Sequence, residues 1–166
     1  MNEQIIGMDL DGFDKITTAL RELINQYPGL DVGEEIQFAT LSEDGGIAMF
    51  PTNGAMIRRE VESITGHVTQ ECLYPFFILY RTFGLSENKK ANIKEWLDDF
   101  GRWLERQPIR VNNQDYVLKE YPLLTENRII KKIQRQSPAY LDSVNENKSE
   151  NWMINLLLTY SNEFDR

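Results

Sequence analysis

The chain has 166 residues, with 18 Lys and Arg against 26 Asp and Glu, for a formal net charge of −8. That length suits one domain whose core needs no staples, and 41% hydrophobic residues with 11% aromatics exclude wholesale disorder. One cysteine (Cys72) excludes an internal disulfide, one histidine (His67) excludes a His-rich metal site, and the acidic balance argues against general nucleic-acid binding, which needs clustered Lys and Arg.

Met1–Leu10 contains Glu3 and Asp9 and no apolar run, so no secretory signal is expected there. Phe13, Ile16, Leu20, Leu23, Ile24 and Tyr27 follow helical spacing and predict a helix over 12–27. Asp11 or Gly12 would open it and Pro28-Gly29 would end it. Residues 35–81 read as strands and hairpins. Glu35–Leu41 and Gly46–Phe50 flank Ser42-Glu43-Asp44-Gly45, a hairpin-turn pattern, and Asn53-Gly54 reads as a second turn. Ile57–Thr65 reads as a strand ended by Gly66. Val68–Tyr80 alternates as a strand, and toward its end both faces are apolar, which predicts cover on both sides. Pro75 lacks an N–H, so an edge position or a bulge is expected there.

The second helix is expected over 88–106. Ile93, Trp96, Leu97, Phe100, Trp103 and Leu104 form its apolar stripe, and Ser86, followed by Glu87 and Lys89, would open it before Pro108 closes it. Two C-terminal strands are expected over 128–161. The first is Arg128–Gln136, and the second carries Trp152, Ile154, Leu156, Leu158 and Tyr160 in strict alternation. Ser137–Asn151 between them reads as a long polar connection of the functional or mobile kind. The whole predicts one α+β domain, 1–166, with two helices packed on one face of a mostly antiparallel sheet. The longest apolar run, around Tyr74–Tyr80, falls far short of the ~20 residues that cross a bilayer, so no membrane association and a cytoplasmic origin are expected.

The chemistry-bearing patterns are sparse. His67 and Cys72 would point to opposite faces of one strand, which disfavours a Cys–His dyad. No Gly-x-Ser-x-Gly elbow and no glycine-rich phosphate loop occurs. Asp9-x-Asp11 suits a helix cap better than a metal pair, since no calcium-loop pattern follows. Glu34-Glu35 and Asp98-Asp99 read as solvated. Trp96, Trp103 and Trp152 read as core. No catalytic, cofactor-binding or metal-binding residue is expected, and the chain reads as a non-enzyme. The basic strand with Arg128, Lys131, Lys132 and Arg135 has two readings. It could grip phosphate or an acidic partner, or it is an edge strand guarded by charge.

Two stretches resemble a known family. One runs Tyr74-Pro75-Phe76-Phe77-Ile78-Leu79-Tyr80-Arg81, followed by Ala91–Leu104. The other runs Pro138–Asn147, followed by Trp152 and Thr159-Tyr160-Ser161-Asn162-Glu163-Phe164. Together, over roughly residues 68–164, they resemble minor structural proteins of tailed phages and prophages of Gram-positive bacteria, labelled minor capsid protein or tail terminator. The resemblance implies a virion protein at the head-proximal end of the tail. It would form a ring, often of six subunits, that caps the tail-tube protein and contacts a head-completion or connector protein. DNA would pass through the lumen without specific binding, and no cofactor is implied. Relatives are sometimes labelled chloramphenicol resistance proteins, but His67 is followed by Val68 and the His-His-x-x-x-Asp-Gly acetyltransferase motif is absent.

The residues fit a ring in one respect, because an acidic surface and a separate basic strand could meet between subunits. On this reading Arg128, Lys131, Lys132, Arg135, Asn145, Glu146 and Asn147 are the interface candidates, and segments 42–56 and 137–151 would fold only on docking. The alternative is a small acidic adaptor or immunity-type module that binds one partner through Ser137–Asn151.

Overall fold

The structure is a computed structural model that describes residues 4–43, 45–83, 87–125 and 127–166, with the side chains of residues 87 and 88 left aside. In chain order the elements are β1 (Gly7–Met8), α1 (Leu10–Ile24), β2 (Ile36–Phe38), β3 (Gly46–Pro51), β4 (Met56–Glu62), β5 (His67–Thr82), α2 (Glu87–Leu104), β6 (Ile109–Val111), β7 (Gln114–Tyr116), β8 (Arg128–Arg135), β9 (Tyr140–Val144) and β10 (Glu150–Asp165). The fold is α+β, as the sequence predicts.

The two strands with the clearest alternation form the middle of the sheet. β5 and β10, each 16 residues long, pair antiparallel from His67↔Asp165 to Thr82↔Glu150. Each is then flanked by two shorter strands end to end. β3 lies against Phe76–Arg81 of β5 and β4 against Val68–Leu73. β9 lies against Glu150–Met153 of β10 and β8 against Leu156–Asn162. β1 extends the sheet beyond β4, and β2 lies beyond β3.

Three expectations change here. Ser42–Gly45 does not close a hairpin, because β2 and β3 run parallel (Ile36↔Ile47, Phe38↔Met49); Asp44 itself lies outside the described residues. The chain turns away at Ala39, whose φ is 52°, and doubles back before β3, so both strands keep their apolar residues on the core side. At Asn53-Gly54, read as a turn, the chain bends, with Gly54 at φ 81°, between two strands that share one edge of β5. The hairpin in this region is Ser63–Gly66, where the Gly66 N–H donates to Ser63 O at 3.0 Å and β4 turns into β5. Finally, the C-terminal region holds three strands, not two. β9 forms within 137–151 and makes a hairpin with β10, so neither that segment nor 42–56, which contains β3, is structureless.

The bend explains Pro75. β5 is central, yet Pro75 faces the break between β3 and β4, where only its carbonyl is used, accepting from the Thr52 N–H at 2.9 Å. A proline in a central strand costs no ladder bond where the neighbouring strand is interrupted.

α1 begins two residues earlier than expected and ends at Ile24 rather than at 27. Asp9 is the N-cap and its carboxylate accepts the Gly12 N–H at 3.1 Å. A Cβ on Gly12 would overlap the Asp9 carboxylate and crowd the Tyr160 hydroxyl, so this turn needs glycine for space. α2 starts at Glu87, and Ser86, expected to open it, lies outside the described residues. Both helices pack on the face of the sheet built from Cys72, Tyr74, Phe76 and Ile78 of β5 and Ile154, Leu156, Leu158 and Tyr160 of β10. Phe13 stacks on Tyr74 with ring centroids 5.7 Å apart, and the Thr17 and Tyr74 hydroxyls meet at 2.6 Å. Tyr27, just past α1, inserts among Trp96, Phe100 and Trp103 of α2 at centroid distances of 5.1, 5.2 and 5.5 Å. That aromatic clasp ties the two helices into one core. No helix of the structure is long and apolar enough to cross a membrane.

Candidate functional site

The alternation that buries one face of β5 and β10 sends their odd-numbered residues to the other face. There, Ala48 and Phe50 of β3 stand opposite Leu79 and Phe77 of β5, and Met153 and Leu157 of β10 continue the apolar area. Phe50 and Phe77 stack at 5.2 Å, nearly parallel at 12°. Phe50, Phe77, Met153 and Leu157 are half-buried and do not join the core under the helices. Ala48, Leu73 and Leu79 on the same face are nevertheless buried, at 0%, 3% and 9% exposure, so this face is apolar but only partly accessible. A sheet face with an apolar centre and polar ends (Glu71, Lys132 and Glu163 at one, Arg81 at the other) is the composition of a protein-binding surface.

The expected interface residues separate into two groups. Arg128 is turned inward and 7% exposed. Its guanidinium grips Asp9 with Nε–Oδ2 at 3.1 Å and Nη2–Oδ1 at 2.7 Å, and the Tyr160 hydroxyl donates to Asp9 Oδ2 at 2.7 Å. Burial opposes ionisation of Asp9, but the hydrogen bonds from Arg128, Tyr160 and the Gly12 N–H outweigh it and hold the carboxyl below its ordinary range. The same contact with Asp9 raises Arg128, while burial and Asp9 raise Tyr160. Arg135 is half-buried and held by Glu105 at 2.8 Å. Each of these two arginines is thus paired with a carboxylate of its own chain. Lys131 and Lys132 are exposed, and among the described residues neither is in an ion pair. β8 bulges at Lys131, which has no residue opposite it on β10.

Asn145 and Asn147 also work locally. The Asn145 amide donates to Ser149 Oγ at 2.8 Å and to Asn151 Oδ1 at 3.2 Å, and Asn147 Oδ1 accepts from the Ser149 hydroxyl at 2.6 Å. They lock the turn from β9 to β10, and Glu146 alone of the three is fully free of that network and exposed.

β8 is an edge strand, and its outer side is partly closed. The Tyr121 hydroxyl accepts the Ile133 N–H at 3.1 Å and donates to Leu104 O at 2.7 Å. Beside it, residues 120–125 and β8 enclose a groove of about 440 Å³, lined by Tyr121, Pro122, Leu123, Leu124, Ile129 and Ile130. Arg106 and Lys131 stand at this groove with Glu120. A second hollow of about 460 Å³ lies at the opposite edge, between α1 and β2, with Glu22, Glu34 and Glu35 around it. Burial and then the Asp31 charge raise the Glu34 carboxyl. Neither hollow holds a group of three or more potential metal ligands among the described residues.

Cys72 and His67 are separated as their spacing predicts. Cys72 is fully buried, and burial followed by the Asp9 charge pushes its thiol up to about 11. His67 is exposed at the start of β5, where Nδ1 meets Asp165 Oδ1 at 2.8 Å and Nε2 lies 3.7 Å from Glu163. The Asp165 hydrogen bond, then the Asp165 and Glu163 charges, raise it above its ordinary 6.5. A raised folded-state value means that its contribution to stability is complete below pH 6.5 and disappears as pH rises through the folded value. As the single histidine, it gives one resolved NMR titration, expected above 6.5 and returning toward it in Asp165→Asn; an unchanged midpoint in that variant would show that the pair does not form.

The sequence reading placed apolar residues on both faces of β5 but did not show that Phe77, with Phe50, Met153 and Leu157, stays half-buried outside the core under the helices. It also missed the pairing of Asp9 with Arg128, for which no local pattern exists across 119 residues. Compared with protein-family models and with curated proteins, the chain matches none.

Proposed function

We propose that this chain is an assembly protein of a tailed-phage virion, a tail-terminator or head–tail joining subunit, and not an enzyme. The resemblance of residues 68–164 motivates the reading, and the half-buried apolar face of the sheet turned away from the helices is the observation that supports it. A protein that must stack on another protein needs a preformed, weakly polar surface, and the half-buried Phe50, Phe77, Met153 and Leu157 provide one on rigid strands. In this reading the face meets the tail-tube protein or the head-completion protein. The subunits form a ring, and DNA crosses its lumen without specific contacts, repelled by the chain's net negative charge.

The test is deletion of the gene from its phage or prophage, with the particles viewed by electron microscopy. Overlong tails, or heads and tails found apart, are expected. Normal infectious virions would end this reading.

A further inference from the structure

A buried charge opens into the groove at the outer edge of β8. Arg128 lines this groove although it is only 7% exposed. Its Nε and Nη2 are engaged by Asp9, at 3.1 and 2.7 Å, and Nη1 donates to nothing among the described residues. No fully buried side-chain nitrogen or oxygen of the described residues lacks a partner. Nη1 is therefore not sealed in the core. It is the part of the guanidinium that reaches the surface, and the surface that Arg128 lines is the groove. An arginine donor left without an acceptor in an apolar hollow marks a place for an anion.

The rest of the groove defines which anion fits. Arg106 also lines it, but its guanidinium is held by the carbonyls of Leu118 and Lys119 and lies over the Tyr121 ring. Lys131 is exposed, stands on the bulge of β8 and is in no ion pair among the described residues. Glu120 opposes them as the carboxylate lining the groove. One arginine nitrogen and one lysine, with Glu120 nearby and Asp9 behind the guanidinium, suit a monoanion; a phosphate dianion would meet two carboxylates. The body of the ligand is apolar, because Tyr121, Pro122, Leu124 and Ile130 form the walls. The groove is preformed. The Tyr121 hydroxyl accepts the Ile133 N–H at 3.1 Å at one end of its wall, and Thr125 O accepts the Arg128 N–H at 3.0 Å at the other. It is also open, with Leu123 on its rim 96% exposed and Ile129 53% exposed. A long alkyl chain laid here would stay half in water. A peptide that ends here would bury one side chain and let its preceding residues run out over the rim.

We infer that the β8-edge groove binds the last residue of a partner chain, an apolar residue whose free carboxylate meets Arg128 Nη1 and Lys131 while its side chain fills the space between Pro122, Leu124 and Ile130. The ion pair with Asp9 then serves the site as well as the fold. It fixes the plane of the guanidinium, so Nη1 is offered without further ordering of the side chain. The inference is independent of the ring reading, since it needs a partner's chain end and not a second copy of this protein.

NMR titration of the isotope-labelled full chain tests it, with the peptide acetyl-Ala-Ala-Ala-Leu carrying a free C-terminal carboxylate as the probe. The backbone amides of Leu123, Leu124, Ile129, Ile130 and Lys131 should move together with the guanidinium resonances of Arg128. The same peptide as its C-terminal amide should bind about tenfold more weakly, the effect of losing one hydrogen bond to a charged group. Arg128 is read by its own resonances rather than replaced, because its loss would strip Asp9 of its partner. Lys131→Gln, at an exposed site, should weaken the acid about threefold and leave the amide unchanged. Glu120→Gln should tighten the acid. Equal binding of acid and amide would overturn the inference by removing the carboxylate from it. Shifts as large with acetate alone would overturn it too, as the mark of an adventitious ion only. Binding of decanoate with no response to the peptide would replace it with a fatty-acid site. No shift with any probe would overturn it by showing that Nη1 faces only water.

Discussion

Replacing Asp9 by Ala is expected to destabilise the protein by about 3–5 kcal/mol, the usual cost of stripping one partner from a buried ion pair. Asp9 does three jobs at once. It caps α1 through the Gly12 N–H, neutralises Arg128, and accepts from the Tyr160 hydroxyl. It is 8% exposed, so water cannot replace these contacts. The alanine variant would leave the guanidinium of Arg128 and the hydroxyl of Tyr160 facing each other without an acceptor. Asp9→Asn combined with Arg128→Met should recover part of the loss, since neither charge then remains. Urea midpoints at constant slope measure all three proteins. A loss below about 1 kcal/mol for Asp9→Ala would mean that Arg128 finds another partner or reaches water. The pH dependence has a definite sign. Asp9 is held below its ordinary 3.8, so its stabilising contribution is complete above that pH and is lost as pH falls through the folded value. Asp9→Asn should lack that acid-side loss.

The same cluster shows what the sequence could and could not disclose. Local periodicity located both helices and the two long strands, because spacings of 3.6 and 2 are written in consecutive residues such as Phe13–Tyr27 and Trp152–Tyr160. Turn chemistry failed where long-range pairing decided the outcome. Ser42–Gly45 carries hairpin residues, yet β2 and β3 pair in parallel, with β3 held antiparallel against β5. β9 was hidden because Tyr140–Val144 is short, lies in a mostly polar segment and pairs with β10. For the candidate surfaces the limit was different. Four basic residues on β8 looked equivalent in sequence, but the bulge at Lys131 and the carboxylates of Asp9 and Glu105 divide them into two structural arginines and two free lysines. Pairing of that kind is set by the fold and has no signature within the strand itself.

Phe100→Ala should be nearly as damaging, at about 3–5 kcal/mol, because it empties a fully buried ring site. The effect should not stay local. Phe100 stacks on Trp96 at 5.8 Å with planes 3° apart and holds Tyr27 edge-on at 5.2 Å. Trp96 in turn anchors Gly29 at the base of the 29–35 loop. Removal of the ring should therefore change the fluorescence and near-UV circular dichroism of the tryptophans. It should also couple to Tyr27→Ala by about 0.5–1.5 kcal/mol in a double-mutant cycle, the usual range for an aromatic pair. Under conditions where the variant is still folded, the loop should lose its seating, and the amides of 29–35 should exchange with solvent faster in the Phe100→Ala background. Unchanged exchange with an intact stability loss would show that the Asp31–Glu34 turn alone holds the loop. The helical layer would then support the sheet without setting the geometry of its edge.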